Sequence, residues 1–292
     1  MNAVLDSAPN RVATQRWSGE LEQRHDCPDQ RCVATRFGWR GGFTLVELLV
    51  VVGIIALLVA IALPALARSR RAGRAAVCAA HLKTLSTALT AYAVEHKGSL
   101  VVSHWSDRPG EARAWDFVTT RTGSDYQTRP GLLWGGDDRD AYAQQCPSFD
   151  GPSNAAGEAY SGYNYNASYL GGGRGEASES PARLTMVGDP AATLAFGEGQ
   201  FGRGANKFMR APRHVGPDGT PARDGPIPFR AAGAQGFRHD GRTQAAHVDG
   251  HVESFADRGV VFDRRGDADG DPASLGDTVG FIGDDNALYD LE

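Results

Sequence analysis

"GGFTLVELLVVVGIIALLVAIALPAL", residues 41–66, is the stretch on which the reading of this chain turns. From Phe43 to Ala67 there are 25 residues and one charge, Glu47. About 20 apolar helical residues cross a hydrocarbon layer, so the run reads as a membrane span. A buried core helix of this length with no polar face is rare. A cleaved secretory signal fits the shape poorly, because the apolar stretch is long and no small-x-small site follows it. The small residues Gly41 and Gly42 precede it instead. Glu47 then needs an explanation, since a carboxylate in a low-dielectric medium is costly without a partner.

The surrounding composition sets the class. The chain has 292 residues, 41% of them hydrophobic, which is enough for a sizeable core in one or two domains. Its formal net charge of −5, with no basic block beside interleaved aromatics, gives no sign of a nucleic-acid partner. The 37 glycines and 15 prolines stand mostly after residue 98 and describe a turn-rich, short-stranded body.

Glycine followed by Phe43-Thr44-Leu45-Val46-Glu47 and an apolar helix resembles the N-terminus of type IV prepilins and type II secretion pseudopilins. The resemblance implies cleavage between Gly42 and Phe43 by a prepilin peptidase and methylation of the new N-terminal residue. It makes residues 1–42 a leader, puts Glu47 fifth in the mature chain, and sets Pro64 where such helices often carry a proline. Cleavage frees an α-amino group on Phe43, a cation that can pair with Glu47 in its own helix or in a staggered neighbour. Snorkelling of a lone Glu47 to the interface is the simpler alternative. Arg68, Arg70, Arg71 and Arg74 after the span would alone draw that end to the cytoplasm. The cleavage motif overrides this statistical tendency, because the glycine must face a cytoplasmic peptidase.

Beyond the arginines, Cys78, Leu82, Leu85, Leu89 and Tyr92 recur at spacings of three and four, one stripe of a helix that packs on a head. Gly98 is its expected stop. The sequence therefore predicts one helix over 43–97, a membrane half (43–67) and an amphipathic half (68–97), with a bend or loosened turn at Pro64. From residue 98 to 292 the expectation is a β-rich head. Strands are expected at 100–102, 132–134, 193–196, 245–248, 252–255 and 260–262, and long loops at 171–182 and 202–228. Asp249-Gly250 reads as a two-residue hairpin turn. The fold class is α+β and pilin-like: a long N-terminal helix on an antiparallel sheet.

"CAAHLKTLSTALTAYAVEHKG" (78–98), "CPS" (146–148), "YNYNASYLGG" (163–172) and "HDGRTQAAHVDGHVESF" (239–255) resemble a planctomycete-type group of prepilin-like proteins. That group ends in His, nine residues, then Asp-Gly, here His239 with Asp249 and Gly250. The resemblance gives the motif a structural or processing-associated role and no reaction.

The remaining candidates concern metals and thiols. His247, Asp249 and His251 alternate like metal ligands, but a two-residue turn would set His247 and His251 on opposite faces. Cys27 and Cys32 would leave with the leader. Cys78 and Cys146 remain, as a disulfide worth roughly 4 kcal/mol or as two separate buried thiols. The acidic C-terminal segment holds "DADGD", where Asp267, Asp269 and Asp271 resemble the start of a calcium loop. Its twelfth position is Thr278 rather than Glu, and a solvated acidic loop is the alternative. Calcium apart, no cofactor is implied. No Gly-x-Ser-x-Gly, phosphate-loop or His-Glu-x-x-His pattern occurs, so an enzyme is not expected.

The resemblance implies a non-catalytic subunit of a type II secretion or type IV pilus filament. Such a subunit is held in the inner membrane with a periplasmic head, and assembled with other pilins by an ATPase and platform. The competing class is a single-pass protein whose periplasmic head binds a small ligand or sugar.

Overall fold

The computed structural model describes residues 43–135, 140–153, 158, 160–173, 178–200, 204–211, 234–258, 279–283 and 287–291. The leader, the three aspartates at 267, 269 and 271, the expected strand at 260–262 and most of the loop at 202–228 lie outside them.

One helix, α1 (Leu45–Glu95), carries the apolar run and the amphipathic stripe together. The chain divides into two compact units, Met1–Ala56 and Leu57–Glu292. In the first, every described residue is exposed although nearly all are apolar. In the second, residues 57–74 are exposed as well, and burial begins only after the arginines. α1 is thus long and apolar enough to cross a membrane. The helix passes Pro64 without interruption, although proline there leaves the Ala60 carbonyl without its helical donor.

Of the expected stripe, Cys78, Leu82, Leu85 and Leu89 are buried and Tyr92 is half-buried against the same core, with Ser86 and Ala93 buried beside them. The helix ends two residues before the expected limit. Lys97 and Gly98 turn to positive φ, and the Gly98 N–H reaches the Ala93 carbonyl at 2.7 Å, a left-handed cap.

The stripe packs into a core with Leu100, Trp115, Tyr165, Phe196, Ala246 and Val248. Trp115, Tyr165 and Phe196 meet at ring-centroid distances of 5.0 to 6.0 Å, and the Trp115 indole donates to the Lys207 carbonyl at 2.9 Å. Leu85 is fully buried at the centre of the stripe. Leu85→Ala is expected to remove about 2–5 kcal/mol of stability, read as an earlier thermal unfolding of the detergent-solubilised chain by circular dichroism.

Eleven strands are described. A four-stranded antiparallel meander comes first: β1 (His104–Arg108), β2 (Glu111–Ala114), β3 (Phe117–Thr122) and β4 (Asp125–Pro130). A five-stranded sheet follows from β5 (Asn164–Asn166), β6 (Leu194–Gly197), β7 (Phe208–Met209), β9 (Arg242–His247) and β10 (Val252–Ala256), in the order β10-β9-β6-β5-β7. Its pairings are antiparallel except β5 with β7, which run parallel. β8 (Gln235–Gly236) pairs with β11 (Val279–Gly280). The fold is α+β, a long apolar N-terminal helix with an antiparallel-sheet head.

Two expected strands are corrected. Leu132–Trp134 is a single 3-10 turn, with the Leu133 N–H bonded to the Trp115 carbonyl at 3.1 Å. Residues 100–102 form a buried link rather than a ladder, tied by the Leu100 N–H to Ala182 at 2.9 Å. Both are apolar because they are buried, and burial alone does not select a strand.

Candidate functional site

At the head of α1, Thr44 and Glu47 form a reciprocal cap. The Glu47 Oε2 accepts from the Thr44 backbone N–H at 2.9 Å and from its hydroxyl at 2.8 Å. The Glu47 N–H in turn donates to the Thr44 Oγ1 at 3.2 Å. This is a capping box, Thr-x-x-Glu, which satisfies helix donors that have no partner within the helix. The Leu48 N–H on the Thr44 carbonyl at 3.2 Å closes the first turn. The carboxylate therefore has a role within its own chain, and the spacing Thr44-x-x-Glu47 was its signal in the sequence. Phe43 stands just before the cap, 76% exposed. Gly42 lies outside the described residues.

The two ends of the His239 to Gly250 motif do different work. At the Gly250 end, the hairpin between β9 and β10 holds three loop residues rather than the expected two. Val252 pairs with Ala246, the His247 N–H meets the His251 carbonyl, and Val248-Asp249-Gly250 spans the gap, with the Gly250 N–H on the His247 carbonyl, both bonds at 2.9 Å. Gly250 takes φ +91°, as the closing residue of such a turn requires. The extra residue brings His247 and His251 to one face, where the rings stack at 4.0 Å and 11°. That corrects the opposite-face expectation. Glu253 stands 3.7 Å from His247, and His247, His251 and Glu253 form a grouping that could hold a metal ion. Burial first, then the neighbouring His251, hold the His247 imidazole below its ordinary value.

Asp249 accepts from the His251 N–H at 2.9 Å, fixing the turn. The turn is docked on α1: Lys83 Nζ donates to the Gly250 carbonyl at 2.7 Å and the Ser86 hydroxyl to the His247 carbonyl at 2.9 Å. Arg71 reaches Asp240 at 3.0 Å, both side chains exposed, so one of the four arginines after the span pairs with the head.

At the other end, His239 joins the two cysteines. The Cys78 and Cys146 sulfurs approach to 3.0 Å. Cys146 lies 3.8 Å from Glu198 Oε1, and His239 Nε2 meets the same oxygen at 2.6 Å. Glu198 was not foreseen, because nothing in "GEGQ" marks it. It sits at the end of β6, fully buried. Its second oxygen accepts from the Gln244 backbone N–H at 3.0 Å and the Thr243 hydroxyl at 3.4 Å. The electrostatics follow the crowding. The Cys78 hydrogen bond, then those from His239 and the Arg238 charge, draw the Cys146 thiol down, whereas the same Cys146 contact and burial push Cys78 up. Burial disfavours charge on His239, yet Cys146 and Glu198 raise it to about 9.

The family model for the prokaryotic N-terminal methylation motif matches residues 40–63. Over those residues the chain is similar to type IV prepilins and pseudopilins, and the motif supports a protein of that kind. No curated protein and no solved structure matches it. For a prepilin-like chain the motif implies processing by prepilin peptidase and assembly with other pilin subunits. The apolar helix and the head correspond to a membrane anchor and a soluble body.

Proposed function

We propose that this prepilin-like chain is a structural subunit, not a catalyst, of an inner-membrane-based filament of the type II secretion or type IV pilus kind. In this reading prepilin peptidase cuts after Gly42 and methylates Phe43. The anchor then waits in the inner membrane with the head in the periplasm, until a cytoplasmic ATPase and its platform insert the subunit into the filament. The observation that carries the reading is the methylation motif running directly into a capped, uncovered apolar helix. Uncovered apolar surface is stable only against lipid or other apolar helices, and a filament core of such helices supplies the second environment once the subunit leaves the first.

The acidic segment with Asp267, Asp269 and Asp271 offers hard oxygen ligands of the type calcium takes. In a filament subunit its role would be to fix a loop of the head.

Mechanical shearing of cells followed by immunodetection tests the assignment. The chain is expected in the sheared or membrane-bound filament fraction, as thin fibres under negative stain. A chain that stays wholly in the membrane as a monomer, with its head binding a small ligand or sugar, would overturn it.

A further inference from the structure

The sulfurs of Cys78 and Cys146, a carboxylate oxygen of Glu198 and the imidazole nitrogen of His239 all lie within 4.8 Å of one another. They come from four separate places: the middle of α1, the turn at residue 146, the end of β6 and the turn before β9. We propose that these four side chains bind one tetrahedral zinc-type metal ion, which clips α1 to the head.

The donor set argues for zinc. Zinc takes thiolate sulfur at about 2.3 Å, and imidazole nitrogen and carboxylate oxygen at about 2.0–2.2 Å. A tetrahedron with those bonds has edges of about 3.3–3.8 Å. The observed separations are 3.0 Å between the sulfurs, 3.8 Å from Cys146 to Glu198, and 2.6 Å from His239 to Glu198. Opening the two short pairs by less than about 1 Å gives the tetrahedron. Two soft sulfurs with one nitrogen and one oxygen suit zinc better than calcium or magnesium, which take oxygen shells.

A disulfide would use only the sulfurs. It would leave the fully buried Glu198 carboxylate beside a neutral bridge, paired with His239. A divalent ion instead sets two positive charges against the three negative ones of two thiolates and the carboxylate, with the Arg238 charge acting on Cys146 beside them, and it engages all four groups. The support around Glu198 has the form expected of a single-oxygen ligand. Gln244 and Thr243 hold Oε2, while Oε1 is aimed at the cluster. Proton balance is simple. The ion displaces one proton from each thiol and, where His239 is charged, one from its imidazolium; the protons pass to solvent and no electrons move. With four protein ligands no position stays open for substrate, so the site is structural.

The test is metal analysis of the full chain, purified in detergent without chelator or histidine tag. One zinc per chain is expected, and Cys78→Ser, Glu198→Gln and His239→Ala should each lower the content at least several-fold. As those variants could simply unfold, the wild-type chain also carries an arm of its own. Exchange into cobalt should give the absorption of thiolate-bound tetrahedral Co²⁺, and chelation should lower the thermal midpoint. Recovery of a Cys78–Cys146 disulfide from the purified chain, or two reduced thiols that hold neither zinc nor cobalt, would overturn the proposal. Neither result bears on filament assembly, so this inference and the proposed function fail separately.

Discussion

Gly42→Trp is expected to leave residues 1–42 attached to the chain, with processed product falling from nearly all of the protein to a trace. The expectation rests on where the scissile bond sits. The methylation motif matches residues 40–63, and the cap at Thr44 starts the helix two residues past Gly42. In the proposed reading a prepilin peptidase engages the short stretch between Gly42 and the cap. Glycine has no side chain to obstruct close approach of an active site to the backbone, and an indole there blocks that approach. The change lies before the helix, so it leaves Thr44, Glu47 and the apolar run as they are. Immunoblots of membranes from cells carrying the peptidase should show only the longer chain for Gly42→Trp and mostly the shorter one for the unaltered protein. Equal processing of the two would remove Gly42 from its role.

Substitutions at Glu47 separate the two roles of that carboxylate. Glu47→Gln keeps an oxygen at the third helical position, so the reciprocal bonds with Thr44 survive. The negative charge is lost, and with it the partner for the amine that cleavage frees on Phe43. Breaking a desolvated charge pair on one side costs on the order of 3–5 kcal/mol. Losing a helix cap costs about 1 kcal/mol. If charge pairing between subunits drives assembly, Glu47→Gln and Glu47→Ala should both be processed normally and both be nearly absent from sheared filaments. If capping alone matters, Glu47→Gln should assemble like the unaltered chain. The first outcome is expected, because its cost is larger and recurs at every subunit contact.

How much of this was legible beforehand depends on what each signal reports. The long helix was legible because its apolar run and its later stripe each repeat over many residues, and burial at Cys78, Leu82, Leu85 and Leu89 follows the spacing. β6, β9 and β10 were legible as short apolar runs. The meander β1–β4 was not. Its residues are largely polar and exposed, so no apolar pattern reports it, and its hairpins rest on Gly110 and Gly123 at positive φ, inside turn-forming Pro-Gly and Gly-Ser pairs. The Asp249-Gly250 turn was located correctly and given the wrong length. The same dipeptide serves a two-residue turn and the last two positions of a three-residue one, and only pairing register distinguishes them. That single residue decided whether His247 faces His251. Cys78, Cys146 and His239 were each singled out, but their convergence with Glu198 depends on contacts between elements far apart in the chain.

The most direct test of the central claim is the intact mass and N-terminal sequence of the protein from membranes of cells that carry prepilin peptidase. The account predicts a mature chain that begins at Phe43 with one methyl group on its α-amine. A chain that retains residues before Gly42, or that is cut at another bond, would contradict it.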